Sequence, residues 1–147
     1  MGKYLVVINE ASPKEGLAEY AAKVAEALDV ELIFGHFLNE DEYQTSIQRA
    51  ASASRTTDSI DEAERRAKVK ADEVASKAVG GRDVSYRTAG VIGDLPGAII
   101  DFAVQEGCNH IFTSGERRSP TGKAIFGDQA QHIILNFDGL VTLNKPD

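Results

Sequence analysis

Short apolar runs alternate with segments of helical periodicity along this chain. The runs predicted as strands are residues 5–8, 30–38, 84–88, 110–113 and 140–143. The first run is apolar at every position, which is typical of a strand covered on both faces of a sheet. This pattern indicates a parallel sheet in the interior of the protein.

Helical spacing of apolar residues predicts four helices between these strands. We place them after Ser12, over residues 58–79, from Leu95 to Gly107 and over residues 123–136. Ser12 is a suitable N-cap for the first helix, because its hydroxyl can accept a hydrogen bond from a free backbone N–H. Residues 39–57 show no strong period and residues 90–94 are rich in glycine, so a long loop and a turn are predicted there.

Strand and helix alternate throughout, which indicates parallel neighbours, since each parallel pair needs a crossover connection. We therefore expect a single doubly wound α/β domain over residues 1–147. Its five-stranded parallel sheet is expected in the order 3-2-1-4-5, with helices on both faces. In such a sheet ligands bind beyond the carboxyl ends of the strands, where the strand order reverses. The loops that start at Asn9 and at Ser114 would then line one cleft.

The segment of residues 113–128 is the strongest candidate for chemistry. It joins a predicted strand to a predicted helix and is rich in Gly, Ser, Thr, Arg and Lys. Backbone N–H groups, a helix amino end and mobile cations together favour a bound phosphate. The alternative is that Arg117, Arg118 and Lys123 are solvated surface charges around a simple turn.

The composition narrows the classes of partner. The formal net charge of −7 argues against non-specific binding to nucleic acid or to an anionic membrane. A single cysteine, Cys108, excludes an internal disulfide and suits a reducing compartment. The apolar run at residues 5–8 is too short for a signal peptide or a membrane span, so a cytoplasmic protein is expected.

Motifs for common catalytic and metal sites fail in this sequence. Gly122-Lys123 lacks the earlier glycine and the following hydroxyl of a P-loop, since Arg117 and Ala124 stand there. The first strand is not followed by a dinucleotide fingerprint, and G-x-S-x-G is absent. Cys108 and His110 do not match a zinc spacing. We therefore expect a binding protein rather than an enzyme.

At the level of motifs the chain resembles the universal stress protein family over essentially its whole length. The first strand and its end at Asn9, the pair His36-Phe37 and the turn at residues 93–96 match the family's order of elements. The loop over residues 118–127 looks most like the version found in haloarchaeal members. Nucleotide-binding members carry G-x-x-G, nine residues and then G-[ST] at this place.

The resemblance implies a stress-response or regulatory protein with a site for ATP or AMP and Mg²⁺. Assigned to the base and ribose are Val7, Asn9 and Phe37; assigned to the phosphates are Ser114, Gly115, Arg117, Arg118, Ser119, Gly122, Lys123, Gly127 and Asp128. Gly115, Arg118, Ser119, Gly122 and Lys123 enter from the local sequence, and the others from the alignment with the family.

The chain departs from the family's motif at four positions. Counted back from Gly127 without gaps, the first two glycines fall on Ser114 and Arg117. The family's final Ser or Thr is Asp128, and its Asp after the first strand is Asn9. Asn9 can still bind a hydroxyl, whereas Asp128 places a carboxylate where a phosphate should lie, unless a divalent cation bridges them.

The last strand is a predicted dimer interface. Leu140, Val141 and Leu143 form an apolar run that the expected strand order places at an edge of the sheet, and an apolar edge must be covered or paired. The resemblance points the same way, because family members commonly dimerise through this strand. Two alternatives stay open: a dimeric interaction module without nucleotide, which could dock on an unidentified protein partner, and a slow ATPase or phosphatase.

Overall fold

A parallel sheet with helices on both faces positions the candidate functional residues that the structure describes. The computed structural model describes residues 2–8, 15–40, 60–115 and 127–144. In chain order the elements are β1 (Lys3–Ile8), α1 (Glu15–Leu28), β2 (Glu31–Asn39), α2 (Ile60–Val79), β3 (Tyr86–Gly93), α3 (Gly97–Gln105), β4 (His110–Ser114), α4 (Gly127–Asn136) and β5 (Leu140–Asn144). The strands lie in the order β3-β2-β1-β4-β5 and each neighbouring pair is parallel, which confirms the expected fold.

The pleat of each strand divides the core into two halves. Val6, Phe34 and Phe112 point to one face, where they pack against the buried alanines of α1 and α2. Leu5, Ile33 and Ile111 point to the opposite face, where they pack against α3 and α4. Because β1 is covered on both sides, all of Leu5–Ile8 is buried, as the unbroken apolar run predicts.

Helix α2 lies close to the strands it covers. Five alanines spaced three or four residues apart form its buried stripe: Ala63, Ala67, Ala71, Ala75 and Ala78. The stripe lets the helix backbone reach β2 and β3. At the closest point, a Cβ atom added to Gly90 would lie 2.1 Å from the carbonyl oxygen of Glu64. Position 90 therefore has no room for any side chain.

The predicted turn at residues 90–94 is wrong, since β3 continues through Gly93 and pairs with β2 from Tyr86 to that residue. Glycine is present at position 90 because a helix backbone lies against the strand there, which the local sequence cannot distinguish from a turn. The turn starts at Asp94 instead, so α3 begins at Gly97 rather than at Leu95. The predicted loop at residues 39–57 falls almost wholly outside the described residues.

The same close packing partly buries His36 on β2. Its Nδ1 donates a hydrogen bond of 2.9 Å to the carbonyl oxygen of Ala67. Burial lowers the pKa of His36 below the ordinary 6.5. The hydrogen bond to Ala67 acts in the opposite direction and raises this pKa, whereas the positive charge of nearby Lys70 lowers it further. The imidazole is therefore neutral at neutral pH and serves as a packing and hydrogen-bonding group.

Replacement of Gly90 by alanine should destabilise the protein by about 1–3 kcal/mol, because the new methyl group overlaps the α2 backbone. Urea denaturation followed by circular dichroism measures this difference. Gly81→Ala is the matched control, since a Cβ there meets no atom within 4 Å, and its effect should stay within about 0.5 kcal/mol. Equal stability of the two variants would contradict the close approach.

Acidification should destabilise the wild type through His36. The unfolded chain, with the ordinary pKa of 6.5, takes up a proton that the folded chain with its lower pKa does not, so stability falls as pH drops through this window. Urea denaturation at about pH 7.5 and about pH 5.5 should show a smaller loss in His36→Gln than in the wild type. His110, whose pKa is also lowered by burial, is present in both proteins. Identical losses would show that His36 does not contribute.

Candidate nucleotide site at the carboxyl edge of the sheet

The side on which the chain crosses over changes between β1 and β4. Helices α1 and α2 pack on one face of the sheet, and α3 and α4 pack on the other. The connections that leave the carboxyl ends of β1 and β4 therefore diverge, although these strands are neighbours. Such a divergence opens a crevice above the strand ends, which is where open α/β sheets bind their ligands.

The last side chains of the strands on the α1–α2 face form a row across the carboxyl edge of the sheet. Ile8 lies level with His36 of β2, and Ser114 lies level with Asn144 of β5. Val6 pairs with Phe112, and Ile8 and Ser114 each lie two residues further along their strands. Ser114 is only 3% exposed, and its Oγ has no hydrogen-bond partner among the described residues. The row thus carries one buried hydroxyl with unused hydrogen-bonding capacity.

On the α3–α4 face, the corresponding residues are Val7, Phe37 and Thr113. Val7 and Phe37 are fully enclosed in the core, and the ring of Phe37 meets that of Phe102 edge-on at 5.6 Å. The hydroxyl of Thr113 accepts a hydrogen bond of 3.2 Å from Nε2 of Gln129 in the first turn of α4. This contact ties the amino end of α4 to the end of β4.

The first turn of α4 begins with a residue that suits an anion site, Gly127, but the next residue, Asp128, carries a negative charge that disfavours an anion. Gly127 begins the helix with a φ of 79°, a left-handed conformation that favours glycine. The amino end of a helix attracts negative charge through its free N–H groups and its dipole. Asp128 already places an exposed carboxylate there. A phosphate at this helix end therefore meets a like charge that is screened by solvent.

The structure describes half of the residues assigned to the site from the sequence. Val7, Phe37, Ser114, Gly115, Gly127 and Asp128 are described; Asn9, Arg117, Arg118, Ser119, Gly122 and Lys123 lie outside the described residues. The carboxyl ends of β1, β2 and β4 carry four of the described residues: Val7, Phe37, Ser114 and Gly115. The N–H of Gly115 donates a hydrogen bond of 2.9 Å to the carbonyl oxygen of Asn144. Sequence reasoning missed Thr113 and Gln129. The sequence feature that could have identified them is a hydroxyl residue at the end of a predicted strand together with an amide residue in the first turn of the helix that follows.

Cys108 and His110, which were considered as metal ligands, make contacts that are typical of core packing. Burial, with a contribution from Glu106, raises the pKa of the Cys108 thiol to about 11, so it is not a thiolate at neutral pH. The ring of His110 stacks on Phe112 at 4.3 Å, and its Nε2 shares a hydrogen bond of 2.8 Å with Oγ1 of Thr142. Within the described ranges, His, Cys, Asp and Glu side chains do not form groups of three that could hold a metal ion.

Among the described residues, no helix has the length and apolar content needed to cross a bilayer.

Comparisons with known proteins identify the family and agree with the fold. The sequence model described as the Universal stress protein family matches residues 1–143. Comparison with curated proteins gives no match.

Among solved structures, a universal stress protein from Archaeoglobus fulgidus is 23% identical, with a TM-score of 0.66 over 97% of this chain and 98% of that one. A universal stress protein from the same organism in complex with dAMP is 20% identical, with a TM-score of 0.62 and 97% of each chain covered. A universal stress protein in complex with cAMP is 15% identical, with a TM-score of 0.60 over 99% of this chain and 98% of that one. These likenesses show the fold.

Proposed function

This chain belongs to the universal stress protein family, and we propose that it is a cytoplasmic stress-response protein that binds an adenine nucleotide between β1 and β4. The ligand of this proposal is ATP or AMP, with Mg²⁺ for the phosphates. Two structures of similar fold hold dAMP and cAMP, which supports an adenine nucleotide as the class of ligand. The role is binding rather than turnover.

The observation that carries this proposal is the change of crossover side between β1 and β4. The chain leaves β1 toward α1 on one face and leaves β4 toward α4 on the other, so the connections diverge above the ends of two adjacent strands, where open α/β sheets bind their ligands. The Ser114 hydroxyl, which is buried and has no partner among the described residues, lies on one side of this divergence, and the first turn of α4 lies on the other. A hydrogen-bonding group and an anion-attracting helix end suit a ligand that has both a polar neutral part and a phosphate.

The segment of residues 116–126 supplies the cations of this proposal. Arg117, Arg118 and Lys123 fall in it and lie outside the described residues, so their part in the site rests on the sequence. A divalent cation gives Asp128 a favourable role, because carboxylate and phosphate oxygens are both ligands that Mg²⁺ prefers. Asp128 and the phosphates would then share the metal ion instead of repelling each other.

A second role, homodimerisation through β5, is favoured by a difference between the two edges of the sheet. The outer edge of β3 is covered by α2, where the carboxylate of Glu64 accepts a hydrogen bond from the N–H of Ile92 at 3.4 Å. The hydroxyl of Thr88 likewise donates to Asp72 of α2. On β5, Leu140 is 64% exposed, and within the described residues no strand follows it. Pairing with β5 of a second copy would cover this edge about a two-fold axis.

Isothermal calorimetry with ATP, ADP and AMP, with and without Mg²⁺, tests the nucleotide site. We expect saturable heat at nucleotide concentrations below about 1 mM. Asp128→Ser should bind ATP about two- to five-fold more tightly in the absence of Mg²⁺, because it removes a screened like charge from the helix end. Its affinity for adenosine, which has no phosphate, should not change.

Absence of heat with all three nucleotides would reject the nucleotide site and favour the interaction module. Weaker ATP binding by Asp128→Ser in the presence of Mg²⁺ would support a metal ion shared by Asp128 and the phosphates. Equal ATP binding by the wild type and Asp128→Ser under both conditions would show that Asp128 takes no part in the site.

The dimer is tested with Leu140→Lys, a substitution at an exposed position. Light scattering coupled to size-exclusion chromatography should give the wild type a mass of about twice 15.8 kDa and the variant the single mass. Val141 and Leu143 are less suitable, since both are partly buried and Val141 packs against the core. Val69→Lys replaces an exposed apolar residue on α2, next to the opposite edge, and should remain dimeric. A monomeric wild type at micromolar concentration rejects the dimer.

A further inference from the structure

A hydrogen bond between side chains joins β4 to β5, the strand of the proposed dimer edge. Nε2 of His110, the first residue of β4, lies 2.8 Å from Oγ1 of Thr142 in the middle of β5. His110 is also level with Leu140 in the pairing of the two strands, so these residues are neighbours on one face of the sheet. The side chain of His110 therefore helps to hold β5 where a second copy would pair with it.

The ring of His110 lies between aromatic side chains. It stacks on Phe112 with centroids 4.3 Å apart and 12° between the planes, and its centroid lies 4.6 Å from that of Tyr4 on β1. Its second nitrogen, Nδ1, is buried and has no hydrogen-bond partner among the described residues. In a neutral ring with its proton on Nε2, that N–H donates to Thr142 and Nδ1 is an unpaired acceptor.

A protonated ring does not suit these surroundings. Protonation adds an N–H at Nδ1 together with a positive charge, and both would be buried without an acceptor among the described residues. Stacking on Phe112 favours a cation by a small amount. Burial outweighs this stacking, because it lowers the pKa of His110 below the ordinary 6.5.

The elements around the ring supply no charge that would stabilise an imidazolium, as far as the structure describes them. On β1 the facing group is the phenol of Tyr4, and on β5 it is the hydroxyl of Thr142. On α1 the carboxylate of Glu19 and the ammonium of Lys23 pair with each other at 3.6 Å, and both are more than half exposed to solvent. Burial is accordingly the cause of the lowered pKa of His110.

We propose that His110 is a proton-sensitive contact between β4 and β5, so that acidification releases Thr142, loosens β5 and weakens the dimer. This rests on the dimer proposed above. To become hydrated, the charged ring has to leave its place between the aromatic side chains, and its hydrogen bond to Thr142 is then lost.

The direction of the pH dependence follows from burial. A second copy paired with β5 would cover Leu140 beside the ring and bury His110 further, so the dimer binds fewer protons than two separate monomers do. Dimer stability is therefore fully present above pH 6.5 and is lost as pH falls through the lower pKa of folded His110.

Hydrogen exchange of the β5 backbone amides tests the contact itself. After correction for the chemical effect of pH, residues 140–144 of the wild type should exchange about three- to ten-fold faster at about pH 5.5 than at about pH 7.5. His110→Gln, which does not titrate in this range, should not show this increase. Thr142→Val should exchange faster than the wild type already at about pH 7.5, because the hydrogen bond is missing. Equal protection of the wild type at both pH values would overturn the inference.

Sedimentation at several protein concentrations tests the effect on the dimer. The dissociation constant of the wild type should rise about three- to ten-fold between about pH 7.5 and about pH 5.5, and that of His110→Gln should stay nearly constant. His36→Gln is the matched control, because the pKa of His36 is also lowered by burial but its hydrogen bond is to Ala67 of α2. This control should keep the pH dependence of the wild type. An equal rise in His110→Gln would assign the effect to another group and overturn the inference.

The two measurements separate this inference from the dimer. A dimer whose dissociation constant does not change with pH rejects the inference alone. A wild type that is monomeric at both pH values rejects the dimer and its regulation together, while the exchange of β5 still decides whether His110 is a proton-sensitive contact. If His110→Gln does not fold, the wild type at two pH values and Thr142→Val at neutral pH give the same decision.

Discussion

Burial of the central strands on both faces is the constraint on which the structure depends. β1 has no polar residue from Leu5 to Ile8, so helices must cover it on both sides. Parallel strands need crossover helices, and a two-sided sheet has to divide these helices between its faces. Here the division falls between β1 and β4, which places diverging connections above adjacent strand ends. The same requirement that encloses the core therefore opens the crevice.

The two hydroxyls at the end of β4 have different surroundings. The Thr113 hydroxyl accepts a hydrogen bond from Gln129, and this contact fixes α4 against the sheet. The Ser114 hydroxyl is buried and has no partner among the described residues. Residues that weaken the fold locally without evident compensation are expected at functional sites.

The two edges of the sheet differ in how they are covered among the described residues. Helix α2 approaches β3 so closely that only glycine fits at position 90, and its acidic side chains accept hydrogen bonds from the edge. β5 has no comparable cover among the described residues and exposes Leu140. An edge with free backbone groups and an apolar side chain favours pairing with another strand. This difference between the edges is what supports the proposed pairing through β5.

Periodicity along the sequence by itself determined the class of fold. A strand buried on both faces is apolar at every position, and an amphipathic helix repeats its apolar residues every three or four positions, so both signals are local. The alternation of the two predicted the parallel sheet, and the strand-to-helix segment at residues 113–128 predicted where a ligand would lie. Motif resemblance added the family, which the match over residues 1–143 confirms.

Contacts between distant residues decided the rest. Gly90 indicates a turn in the sequence but lies within a strand, because the helix backbone that excludes its side chain is more than twenty residues away in the chain. Partial burial beside α2 lowers the pKa of His36 and keeps its ring neutral at neutral pH. The hydroxyls of Thr113 and Ser114 differ in hydrogen bonding, because the pleat of the strand turns them to opposite faces of the sheet with different neighbours. Composition and spacing specify which groups are present, whereas the packing of elements remote in sequence decides which of the described groups are satisfied and which have no partner.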